Sequence, residues 1–179
     1  MRRDELEHVI AAAADVAGET ELVVLGSQAI LGSYPDAPRT MLRSMEADLY
    51  PRRAPEKADD IDGSLGDGSR FHRTYGYYAH GVGPETAKAP AGWEERLIAV
   101  EVAARLSSQE RVVAWCLEPH DLVLAKCVAG RERDWDFAGE ALAHHLVDAR
   151  VLLSRAHDLP VDDEHRDHLR ARLQAIAGA

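Results

Sequence analysis

Apolar residues recur at three- and four-residue intervals through the opening segment "MRRDELEHVIAAAADVAG", at Leu6, Val9, Ile10, Ala13 and Val16. That spacing predicts an amphipathic helix. The pattern then changes. "ELVVLG" is a short apolar run closed by glycine and reads as a buried strand. "SQAILGSY" predicts a short helix opening at Ser27, and "SMEADLY" predicts a strand bounded by Pro51. "PEKADDIDGSLG" has proline at a first helical position and ends in glycine, so a short helix is expected. "FHRTYGYYAHGV" mixes aromatics with glycine and leaves room for a further strand, while "GPETAKAPAGW" is a Pro/Gly/Ala loop and the best candidate for a mobile segment. "ERLIAVEV" sets Ile98, Val100 and Val102 on one face and Leu97, Ala99 and Glu101 on the other. "SSQE" reads as a turn and "RVVAWCL" as another strand.

From Pro119 onward the pattern is helical. "PHDLVLAKCVAG" is apolar nearly all round apart from Lys126 and stops at Gly130. "DWDFAGEALAHHL", "DARVLLSRAHDL" and "DDEHRDHLRARLQAIAG" are three more helical segments with acidic starts. A mixed front half followed by a helical back half predicts an α+β (mixed α/β) fold, a small mixed sheet flanked by helices. The expected division is an α/β core with its N-terminal helix over residues 1–118 and a helical region packed on it over 119–179.

Composition changes this picture little, charge somewhat more. At 179 residues the chain can bury a substantial core without disulfides or a structural metal. No apolar run approaches the roughly 18 to 20 residues that span a bilayer, and the N-terminus turns acidic after two arginines. The expectation is no membrane association and a cytoplasmic location. Cys116 and Cys127 lie among apolar neighbours with no CxxC pair, which predicts reduced, buried thiols. The net charge of −10 argues against bulk DNA binding, which needs clustered Lys and Arg. Arg39, Arg43, Arg52 and Arg53 flank the Glu46–Asp48 segment, but scattered arginines are most often solvated surface groups.

Candidate chemistry begins at Glu46 and Asp48. Side chains two apart on a strand point the same way. Met45, Ala47 and Leu49 are then expected to face the core, with Ser44, Glu46, Asp48 and Tyr50 facing a cleft or solvent. Neighbouring carboxylates repel, which raises the pKa of one unless a cation sits between them, and Mg²⁺ is an oxygen-seeking cation suited to that role. As a bare pattern ExD is weak, because polar strand faces produce it by chance. Gly26-Ser27 strengthens it, since a glycine at a strand end allows close backbone approach and a helix opening at Ser27 presents N–H groups to an anion. The plain alternative is a tight turn and an N-cap. Lys126 within an apolar helix needs a partner, either a polyphosphate or a nearby acid, unless it sits at the rim of a buried helix and snorkels to water. Asp134 either caps the helix after it or orders Lys126 or an arginine, or acts as a base. Zinc is disfavoured by the absence of HExxH and of ligand spacing at either cysteine, and a serine hydrolase by the absence of GxSxG.

Gly26-Ser27, Glu46-x-Asp48 and "DLVLAKCVAGRERDWDF" together resemble the nucleotidyltransferase superfamily. The later segment is similar to the lysine helix and following aspartate of AbiEii-type abortive-infection toxins. The chain from about residue 20 to 155, with "GSQAILGSYPD", "GYYAHGV", "PAGWEERL" and "CLEPHDLVLAKCVAGRERD", resembles an uncharacterised bacterial group of nucleotidyltransferase-like proteins. The resemblance implies metal-dependent transfer of a nucleoside monophosphate from an NTP to an RNA or protein acceptor, with an antitoxin as a conceivable partner. It implies that Gly26 and Ser27 hold the β/γ phosphates, Glu46 and Asp48 bind Mg²⁺, Lys126 steadies the triphosphate and Asp134 supports the attacking group. Two departures stand out: Glu in place of the usual first Asp, and a long interval from Ser27 to Glu46. Glu101 is the candidate for a third carboxylate. The alternative is a catalytically inactive nucleotide-binding or protein-interaction module on the same fold.

Overall fold

A computed structural model describes residues 1–103 and 111–178. The expected turn over Ser107, Ser108, Gln109 and Glu110 lies outside the described residues. Helix α1 (Arg3–Ala17) buries Leu6, Val9, Ile10 and Ala13 as the spacing predicts, and adds Ala14 and Ala17; Val16 remains 37% exposed. Each fully buried Leu or Ile of this kind contributes roughly 1.5–3 kcal/mol. Gly18, with φ +65°, ends the helix in a left-handed turn.

Five strands form one mixed sheet: β1 (Glu21–Val24), β2 (Glu46–Pro51), β3 (Tyr78–Gly81), β4 (Ile98–Ala103) and β5 (Arg111–Cys116). Their spatial order is β3-β2-β1-β5-β4. β1 runs parallel to β5 and antiparallel to β2; β3 runs parallel to β2, and β4 antiparallel to β5. The mixed α/β class expected from the chain's pattern is the one observed.

Helix α1 packs across all five strands, and α3 (Ala58–Leu65) lies beside it against β2 and β3. A Cβ added to Gly81 would lie 1.9 Å from the Ala58 carbonyl oxygen, so this side of β3 faces α3 at backbone distance. Alternation then puts Ala47, Leu49 and Ala79 on the same covered face, all at 0% exposure. Glu46, Asp48, Tyr78 and His80 point the other way. Two expected orientations on this stretch differ from the structure. Met45 precedes the strand and is 55% exposed, and Tyr50 is buried at 5% where the strand runs into the core.

A 3-10 turn (Ser27–Ala29) and α2 (Ile30–Ser33) follow β1. Helix α4 (Arg70–Tyr75) takes up the aromatic stretch before β3, so only its last part is strand. Helices α5 (Pro119–Ala129), α6 (Glu132–Ala143), α7 (Ala149–Arg155) and α8 (Asp163–Ala177) complete the chain. α5 buries Leu122, Val123, Leu124 and Cys127 and packs on α2 and the Ser27 turn. Both cysteines are free and buried, and burial pushes each thiol up to about 12. No described helix is long and apolar enough to cross a membrane.

Candidate metal centre

The turn after β1 is built around Gly26, whose φ of +61° and ψ of −170° belong to a region that only glycine occupies without strain. Its missing side chain is filled by Asp48: a Cβ on Gly26 would lie 2.0 Å from Asp48 Oδ2. The Leu25 N–H donates to the Asp48 carbonyl at 2.8 Å, which locks the turn to β2. Gln28, fully buried, donates from its amide nitrogen to the Ser44 carbonyl at 3.0 Å and fastens the turn to the segment entering β2. Nothing in the ExD pattern pointed to Gln28.

Register supplies the remaining groups. β3 sets Tyr78 opposite Glu46 and His80 opposite Asp48. The Tyr78 hydroxyl donates to Glu46 Oε2 at 2.9 Å, while His80 Nδ1 lies 3.1 Å from Glu46 Oε1 and 3.0 Å from Asp48 Oδ1. His80 is the residue that reading the sequence missed. The signal was present in the alternation Tyr78-x-His80, once "YYAHG" is taken as a strand paired beside β2. Glu101 does not take that place. It stands on β4, at the opposite edge of the sheet, bonded to Arg111 at 2.7 Å.

The carboxylates perturb each other as expected of close like charges. Burial pushes Asp48 up to about 6, and Glu46 beside it adds to the rise while His80 opposes it. Burial alone would raise Glu46 as well, but its hydrogen bonds with Asp48 and Tyr78 and the attraction of His80 outweigh that and bring it down. His80 shifts up, its burial overridden by the bond to Asp48 and the two negative charges. A proton bound more tightly to folded Asp48 stabilises the fold below its ordinary value of 3.8, and that contribution is lost as pH rises through about 6. In EDTA at pH 7.5, Asp48→Asn is therefore expected to be more stable than the parent, by about 1–2 kcal/mol. Urea unfolding measures it, and a clearly less stable variant would count against carboxylate repulsion here.

The donor set fits a divalent cation. Glu46, Asp48 and His80 each offer an atom within 4.8 Å of the others. A cation there would relieve the repulsion that the metal-free site bears.

Lys126 and Asp134 pair with each other. Lys126 Nζ lies 3.2 Å from Asp134 Oδ1 and 4.7 Å from the Phe137 ring centre, and Arg131 Nε donates to Asp134 Oδ2 at 2.9 Å. Asp134 is buried with both oxygens engaged by cations, and it makes no side-chain cap for α6. Its carboxylate pairs with both Lys126 and Arg131. Among the described residues, no hydrogen bond or ion pair joins this trio to Glu46, Asp48 or His80. Arg52 and Arg53 pair with Glu21 at 3.2 and 2.6 Å, at the far end of β2 from Glu46. A cleft of about 700 Å³, lined by Tyr34, Leu142, Leu146 and Ile176, includes none of the site residues.

The family described as "nucleotidyltransferase of unknown function" (DUF6036) matches residues 4–174. The chain belongs to this family. No curated protein and no solved structure matches it. In this DUF6036 protein the strand leading into the glycine turn, the carboxylate strand and the histidine strand are neighbours in one sheet.

Proposed function

We propose that this protein is a metal-dependent nucleotidyltransferase that moves a nucleoside monophosphate from an NTP to an RNA or protein acceptor. The observation that carries this reading is the fit of Gly26 against Asp48, with Glu46 and His80 converging on the same point. Gly26 and Ser27 bind the β/γ phosphates through the turn's backbone and the serine hydroxyl. Glu46 and Asp48 hold the cation, which would neutralise the polyphosphate and polarise the α-phosphate. Lys126, ordered by Asp134, steadies the triphosphate. The acceptor oxygen bonds to the α-phosphorus, the bridging P–O bond breaks and pyrophosphate leaves. The acceptor's proton passes to a carboxylate of the pair. Catalysis is then mainly positioning and charge neutralisation. The similarity of the Lys126–Asp134 segment to AbiEii-type toxins supports a toxin–antitoxin setting.

One observation favours a second reading, a non-catalytic module. His80 Nδ1 stands between the two carboxylates, where a protonated imidazole can substitute for a cation. Thermal unfolding with each NTP, with and without divalent metal, separates the two. At least one NTP is expected to stabilise the protein only when metal is present, by about 2–3 kcal/mol at a hundredfold excess over Kd. Asp48→Ala is expected to lose that shift. No shift with any NTP favours the module.

A further inference from the structure

We propose that His80 is a third ligand of the Glu46–Asp48 site and makes it select Mn²⁺ over Mg²⁺. The inference rests on the metal-centre reading above and adds the identity of the cation.

Each carboxylate turns one oxygen toward the histidine. Tyr78 holds Glu46 Oε2, leaving Oε1 beside Nδ1 at 3.1 Å. The backbone of Gly26 crowds Asp48 Oδ2, leaving Oδ1 beside Nδ1 at 3.0 Å. Adjacent ligands of an octahedral ion at about 2.1 Å lie about 3 Å apart, so both spacings already match two edges sharing the nitrogen. The three groups come from two strands in register and need no loop rearrangement to converge. A hydroxyl that fixes one carboxylate oxygen is the kind of outer support that ligating carboxylates usually have.

The donor chemistry decides between cations. Mg²⁺ demands oxygen ligands and sheds water reluctantly, so an imidazole in its coordination sphere is a poor exchange for water or carboxylate. First-row transition ions accept imidazole readily, and among them Mn²⁺ also suits carboxylate and phosphate oxygens in octahedral geometry. Two carboxylates, one imidazole and positions left for phosphate oxygens describe a Mn²⁺ site better than a Mg²⁺ one. His80 is half exposed and Glu46 about a third exposed, so the cluster lies at the surface within reach of such a ligand.

The test uses the full chain and metal alone. Calorimetric titration with MnCl₂ and MgCl₂ at pH 7.5 is expected to give Mn²⁺ at least about tenfold tighter, the order implied by one imidazole in place of an oxygen ligand. Electron spin-echo spectra of bound Mn²⁺ are expected to show one coupled imidazole nitrogen. In His80→Asp that coupling disappears and the Mn²⁺/Mg²⁺ ratio falls severalfold toward unity. His80→Ala, a second variant at a half-exposed edge-strand position, also loses the coupling, and circular dichroism checks that both fold. Equal affinities in the parent, or Mn²⁺ bound without a nitrogen coupling, overturns the proposal. If NTP still stabilises the protein equally well with Mg²⁺ and Mn²⁺, the nucleotidyltransferase reading stands and only the His80 assignment falls. If neither cation binds, both fall.

Discussion

Gly26→Ala is expected to destabilise the protein by about 2–4 kcal/mol and to erase every metal- or nucleotide-dependent shift in its melting temperature. Two costs combine. The backbone at φ +61° and ψ −170° is one that alanine adopts only under strain, at about 1–3 kcal/mol. The new methyl also has nowhere to go, because Asp48 Oδ2 lies 2.0 Å from its position. Relief requires Asp48 to swing away, and Asp48 is one of the two carboxylates proposed to hold the cation. In a chain of this length the loss corresponds to a fall of roughly 5–15 °C. A double-mutant cycle separates the two costs. Asp48→Ala removes the clashing oxygen, so Gly26→Ala in that background is expected to cost only the backbone part, leaving a coupling of about 1–2 kcal/mol. A folded Gly26→Ala protein that still responds to metal and NTP would mean that the glycine turn does not shape the site.

How much of this was legible in the chain follows from which interactions are local. The helices and strands are, because their signals lie within single segments: the 3-4 spacing of α1, the alternation of Val100 and Val102, and the glycine after Lys126. Gly26, Glu46 and Asp48, which the structure brings together, stood out for the same reason, as residues with distinctive chemistry within single segments. His80 was not, because its place depends on strand pairing: only the register Asp48↔His80 brings it to the carboxylates. Glu101 was attractive by residue type, but strand order put β4 at the wrong edge. Asp134 shows the limit in another way. Its two cationic partners are five residues apart in sequence, yet whether its carboxylate caps a helix or ties Lys126 to Arg131 is settled by side-chain directions that no pattern encodes. Orientation also failed at Tyr50, where alternation predicts exposure but the strand has passed beneath other elements.

Asp121→Ala is expected to be the most destabilising single substitution outside the sheet, at about 3–5 kcal/mol, because it leaves two arginines facing a void. Asp121 is fully buried and accepts from Arg96 Nε at 2.7 Å and Arg155 Nη1 at 3.0 Å. Arg96 also donates to the carbonyls of Pro90 and Ala91 at 3.3 and 3.1 Å, so the loop expected to be mobile is tied through it to α5 and α7. Glu118 is the second acid of the network. It accepts from Arg155 and from His120 Nδ1, whose Nε2 accepts from the Asp148 N–H at 2.9 Å. Burial alone would raise Glu118, but the hydrogen bond from His120 and the Arg155 guanidinium bring it down to about 2. A depressed carboxyl stabilises the fold above its ordinary value of 4.5, and that stability drains away as pH falls from there through about 2. The contribution amounts to about 3 kcal/mol. Glu118→Gln is accordingly expected to lower stability at pH 7 and to flatten the acid limb of the stability curve between pH 4.5 and 2. Urea midpoints across that range measure both effects, and an acid limb unchanged by the substitution would place the protein's acid sensitivity in other carboxylates.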